Sequence, residues 1–200
     1  MTTPFIALRS LKRSRRPEER CELCSAPLAP LHQHLLETAS GKIMCACDAC
    51  SILFSHRDGD RRLLRIPRST RRLPDFHLDD AEWNALALPI EMAFFVKSSK
   101  AGRVLAFYPS PAGPTESLLS LDAWNELVRA NPVLDEMQSD VEALVVNRTR
   151  GRCDYVIAPI DECYRLTGLI RINWRGLSGG DAVWDEIERF FGDIAERAHA

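Results

Sequence analysis

Five of the seven cysteines of this 200-residue chain fall within thirty residues, as Cys21-x-x-Cys24 and Cys45-x-Cys47-x-x-Cys50. Thiolates at this spacing point to metal binding. A Cys-x-x-Cys knuckle aims two sulfurs at one point from a single tight turn. A tetrahedral centre needs two such pairs, each sulfur about 2.3 Å from the ion. Cys21 and Cys24 with Cys47 and Cys50 meet that need, and the 22 residues between the pairs leave room for a hairpin. The segment is too short to fold on a core of its own, so the ion is expected to hold it together. Zinc is the expected metal, with iron or an iron–sulfur cluster as the alternative.

Cys45 complicates the set, because it lies two residues before Cys47 on the incoming strand. It is a spare thiol packed as a small apolar residue, a ligand in place of Cys47, or the extra sulfur of a cluster. The chain lacks the tight Cys-x2-Cys-x2-Cys run of bacterial ferredoxins, which favours zinc or a single iron over a cluster. All five cysteines, Cys21, Cys24, Cys45, Cys47 and Cys50, are therefore candidate ligands.

His32 and His34 sit in the spacer. A zinc deaminase or an HNH nuclease would use such a histidine in catalysis. Here the order His32-Gln33-His34, with His56 six residues past Cys50, departs from the nuclease pattern. The simpler expectation is a hairpin histidine facing solvent or packing on the knuckle. Cys163 falls on the apolar face of a helix and reads as a buried structural thiol, while Cys153 falls in a turn. No nucleophile elbow, Walker loop or dinucleotide fingerprint occurs. Gly176-Leu177-Ser178-Gly179-Gly180 precedes a helix but lacks the strand and lysine of a phosphate loop, so it reads as a helix-linking turn. Trp83, Trp124, Trp174 and Trp184 sit on apolar helix faces and read as core or as the lining of a docking groove.

The elements that must carry these residues divide by composition. The chain has a net charge of −2, yet residues 1–72 carry +7 and residues 73–200 carry −9. A basic head and an acidic body suggest two modules. Residues 1–19 read as a disordered basic arm, residues 20–56 as the cysteine-rich metal module, residues 57–74 as an arginine-rich linker in which Leu63, Leu64 and Ile66 suggest a short strand, and residues 75–198 as an α+β domain. No apolar run is long enough to span a membrane. Met1–Pro17 has neither an apolar segment nor a cleavage site, so the cytoplasm is the expected compartment. Thiols stay reduced there, which again favours metal over disulfides.

Within the module, His34–Glu37 and Lys42–Met44 read as strands around a turn at Thr38–Gly41, and a short helix starts near Cys47. Within the body, Asp79 or Asp80 caps a helix through Trp83 and Leu86. Glu91–Ser98 and Arg103–Pro109 form a hairpin, and Ser110–Pro114 is a rigid loop. Asp122 caps a helix whose Leu121, Trp124, Leu127 and Val128 share one face. Val141–Asn147 and Tyr155–Ile160 pair as strands, and the helices Asp161–Trp174 and Asp181–Arg197 follow. The expected fold class is α+β: a small zinc-ribbon or treble-clef-like module, then a domain with antiparallel strands and C-terminal helices.

Four stretches, RCELCSAPLAPLHQHLLE, MCACDACSILF, LAFYPSPAGPTESLLSLDAW and CYRLTGLIRINWRGLSGGDAVWDEIERFF, resemble an uncharacterised bacterial family labelled a domain of unknown function. Genes of that family occur beside those of nickel–iron hydrogenases. The resemblance covers roughly residues 20–195. It implies a non-enzymatic accessory role in hydrogenase maturation or assembly, with a hydrogenase subunit or another maturation factor as protein partner. It also implies that the five clustered cysteines are ligands, and it transfers no catalytic residue. Two other readings stay open: an iron–sulfur or electron-transfer protein, and a zinc-dependent nucleic-acid-binding regulator that uses the basic head.

Overall fold

Strand β5 (Met92–Ser98) reads MAFFVKS, five apolar residues in a row, because both of its faces are covered. It lies inside a six-stranded antiparallel sheet of order β4-β9-β8-β5-β6-β7, in the computed structural model that describes residues 19–55, 63–176 and 179–198. The other strands are β4 (Arg71–Arg72), β6 (Arg103–Ser110), β7 (Gly113–Ser117), β8 (Glu142–Asn147) and β9 (Asp154–Pro159). The basic arm, apart from its last residue, His56 and the first part of the arginine-rich stretch fall outside the described residues.

Side-chain alternation sorts the sheet into two faces. Met92, Phe94, Val96, Ala143, Val145, Val156 and Ala158 point to one side. There they meet α4 (Ile160–Asn173) and α5 (Asp181–Arg197), through Cys163, Leu166, Ile170, Ile187, Phe190 and Phe191. Ala93, Phe95, Ala106, Leu144, Val146 and Ile157 point to the other side. That face is covered by α2 (Asp80–Ala85), α3 (Leu121–Ala130) and a 3-10 turn at Pro132–Glu136, through Trp83, Trp124, Leu127 and Leu134. Register keeps each face continuous, with Phe95 opposite both Ala106 and Leu144.

The N-terminal segment forms a second, three-stranded sheet of order β2-β1-β3, with β1 (Gln33–Glu37), β2 (Ile43–Ala46) and β3 (Leu63–Arg65). Helix α1 (Asp48–Phe54) follows β2 directly. The two sheets are not separate in their packing. Leu36 and Ile66 join the core formed by the large sheet with α4 and α5, and Ile43 and Leu64 pack against it.

Several local expectations shift. In the arginine-rich stretch the short strand suggested by Leu63, Leu64 and Ile66 forms β3 of the small sheet, while β4, not expected, joins the edge of the large one, where Arg71 pairs with Ile157 and Arg72 with Val156. Ser110–Pro114, expected as a rigid loop, instead turns into β7, which pairs with β6 from Ser110–Gly113 to Ala106–Ser117. Pro114 is tolerated there because β7 is an edge strand. Ser120, not Asp122, caps α3, its side chain accepting from the Ala123 amide.

Asp79, one of the two expected caps of α2, forms a capping box with Glu82. Each side chain accepts from the other residue's amide at 2.8 Å. Asp79→Ala leaves an amide of the first turn without its acceptor and should cost about 1 kcal/mol, read as a lower denaturant midpoint at unchanged slope.

Candidate metal centre

The centre is assembled from a knuckle, a hairpin and a helix start. In the knuckle, the Cys21 amide donates to Ala26 O and the Ser25 amide to Cys21 O, both at 2.8 Å. Ser25 takes a left-handed conformation (φ 62°), which turns the chain back after Cys24. The knuckle is tied to the hairpin through Glu22. Its amide donates to Cys45 O, and its carboxylate accepts from the Cys45 amide and from Lys42 Nζ. The bond from Lys42 is the main reason that the Glu22 carboxyl titrates below its usual range.

The second pair sits at the start of α1. Cys47 is its N-cap, with Sγ accepting from the Cys50 amide at 3.5 Å. The hairpin carries this pair over the knuckle, so the Sγ atoms of Cys21, Cys24, Cys47 and Cys50 all lie within 4.8 Å of one another. Cys24 Sγ and Cys47 Sγ are 3.7 Å apart. Sulfurs bound at about 2.3 Å to one tetrahedral ion stand about 3.8 Å apart. The separation is far beyond a disulfide bond of about 2.05 Å, and all seven cysteines are free thiols. Cys21 and Cys50 are buried, Cys47 is half-buried and Cys24 faces solvent.

The thiols do not titrate alike. Burial works against the Cys21 thiolate, but the amides of Cys47, Cys24 and Leu23 donate to it and bring its pKa down to about 6. Burial and the neighbouring thiols push Cys50 up to about 12. The Cys21 thiolate is thus easily formed and that of Cys50 strongly opposed, as expected for acids that share one space. A divalent cation held at the centre would supply the charge that stabilises the thiolates. Four closely spaced cysteines of this kind could hold a metal ion, and the donor set and spacing fit one.

Cys45 stands apart from this group, beside His32 and His34. His34 makes a contact that no sequence signal announced: its Nδ1 donates to Asp161 Oδ2 at 2.6 Å, across 127 positions. Cys163 is buried on the core face of α4, and Cys153 is exposed. Trp83 and Trp124 are core residues. Trp174 and Trp184 line an apolar groove with Ile90, Pro111 and Ile170, with the Arg150 guanidinium 5.0 Å from the centroid of Trp184. Gly180 caps α5 with no side-chain bond, while Leu177 and Ser178 of the glycine-rich turn lie outside the described residues.

Fold and site define a mixed α+β protein with antiparallel sheets, C-terminal helices and a four-cysteine group able to hold a metal. The chain belongs to the family of unknown function DUF5947, whose model matches residues 20–198. No curated protein and no solved structure matches it. No helix among the described residues is long and apolar enough to cross a membrane.

Proposed function

We propose that the N-terminal segment is a treble-clef-like structural zinc module, and that the chain is a non-enzymatic accessory protein for nickel–iron hydrogenase maturation or assembly. The metal reading is carried by the convergence of Cys21, Cys24, Cys47 and Cys50 within 4.8 Å. The succession of knuckle, hairpin and helix, with the second thiol pair at the helix start, supports it. Four thiolates also suit a single iron. Anaerobically purified protein separates the two: zinc leaves it colourless, and a tetrathiolate iron site colours it red.

The biological setting rests on the resemblance to a family encoded beside hydrogenase genes. A protein partner is supported by the surface of α1, where Ile52, Leu53 and Phe54 are each more than half exposed among the described residues. The acidic body, net −9 over residues 73–200, would favour a basic partner surface. Deleting the gene is expected to leave hydrogenase subunits expressed but immature. Normal hydrogenase activity in the deletion strain would remove the accessory role without touching the metal centre.

A further inference from the structure

Next to the four-thiol centre, a second group of donors converges. His34 on β1 and Cys45 on β2 are direct partners across the antiparallel ladder, so their side chains leave the same face. His32 lies two positions before His34 and shares that side. The ligand atoms of His32, His34 and Cys45 lie within 4.8 Å of one another.

The histidine hydrogen bonds fix what faces the gap. His32 Nδ1 is 3.0 Å from Ala29 O, which can only accept, so Nδ1 carries the proton. His34 Nδ1 is 2.6 Å from Asp161 Oδ2, so there too Nδ1 is the donor. The two Nε2 atoms face each other at 3.2 Å: when both rings are neutral each is a bare lone pair, and when His34 is protonated, which its bond to Asp161 favours, its Nε2–H donates to His32 Nε2. Two lone pairs at that distance repel unless a cation or an added proton lies between them. Two nitrogens bound at about 2.0–2.1 Å to one tetrahedral ion stand about 3.3 Å apart, so an ion could replace the shared proton with little movement of either ring.

We propose that His32, His34 and Cys45 form a second metal site, distinct from the four-thiol centre, for a late first-row divalent cation of the zinc class. Two imidazoles and one thiolate suit a borderline ion, and three protein ligands leave a coordination position for water or an outside ligand. Asp161 holds the His34 ring from behind, in the carboxylate–histidine–metal arrangement that orients the ligand and raises its basicity. Asp161 Oδ1 is buried without a hydrogen-bond partner among the described residues, so the carboxylate's built contact is the one to His34. Because Asp161 lies in the first turn of α4, an ion at this site would tie the small sheet to the larger body. This site assigns Cys45 a role that the four-thiol centre does not need, and it stands or falls independently of that centre.

Cobalt(II) titration of the anaerobically prepared, metal-free full chain tests it. The expected result is two equivalents bound per chain, falling to one in Cys45→Ala and in His34→Ala, with the tetrathiolate spectrum retained in both. Asp161→Asn should bind at the second site 10–100-fold more weakly, with cobalt affinity at the first site unchanged. Cys24→Ser, which breaks the four-thiol centre, should keep the second equivalent if β1 and β2 stay folded by hydrogen exchange. A single equivalent in the wild-type chain that Cys45→Ala and His34→Ala leave intact would overturn the second site. An equal loss of both equivalents in Asp161→Asn would overturn the independence of the two sites.

Discussion

Cys21→Ser is expected to release the metal from the four-thiol centre and to unfold the knuckle and α1. The reason is how little else holds this region. Its buried local core is Cys21, Leu35, Ala46 and Cys50, and two of these four are proposed ligands. Burying a leucine contributes about 1.5–3 kcal/mol. Structural zinc in small peptides contributes on the order of 10–16 kcal/mol, so a bound ion of that kind would dominate. Hydrogen exchange should show the loss at residues 20–30 and 47–54. Protection should persist in β1 and β3, because Leu36 and Ile66 are anchored in the large core. The wild-type chain should behave similarly with a strong chelator, and more readily as pH falls, since protons compete with the ion for thiolates. The sign follows from the thiols: with Cys50 pushed up to about 12, lowering the pH favours its protonated, metal-free form. Unchanged exchange in metal-free protein would show that packing alone holds the knuckle.

Phe95→Ala should be the most damaging single truncation in the body. Phe95 is fully buried on central strand β5, and its ring stacks on Trp124 with centroids 5.1 Å apart. Its neighbours cannot collapse into the space, because Ala106 and Leu144 are fixed by ladders on either side. The expected cost is about 3–5 kcal/mol, a large part of the 5–15 kcal/mol typical of a domain. For a chain of this length that lowers Tm by on the order of 10 °C. Leu118→Ala, at a residue 94% exposed, is the control and should stay within about 0.5 kcal/mol. Similar small losses in both variants would contradict the two-faced packing of the large sheet.

Much of the four-thiol centre was legible because its parts are local. A Cys-x-x-Cys turn needs only its own backbone, the hairpin needs one turn at Thr38–Gly41, and Cys47 caps the helix that it begins. The place of Cys45 was not legible, because it depends on register. Only the pairing of His34 with Cys45 sets that thiol beside the histidines and away from Cys47. The bond from His34 to Asp161 depends on docking the small sheet against α4, and no local pattern encodes it. In the body, alternation and helical spacing marked most elements, while β7 was hidden by Pro111 and Pro114. Helix α3 begins earlier than Asp122 implied, because Ser120 and Asp122 are both good caps and packing of Trp124 and Leu127 sets the boundary. The place of β8 beside β5 joins strands with α3 between them in the chain, which only the closed core fixes.

The most direct measurement is metal-edge X-ray absorption on anaerobically purified Cys45→Ala protein, which removes the proposed histidine site and leaves the four-thiol group. One ion per chain with four sulfurs at about 2.3 Å is the expected result. Metal-free protein with its remaining thiols reduced, or an ion surrounded by nitrogen and oxygen, would contradict the centre formed by Cys21, Cys24, Cys47 and Cys50.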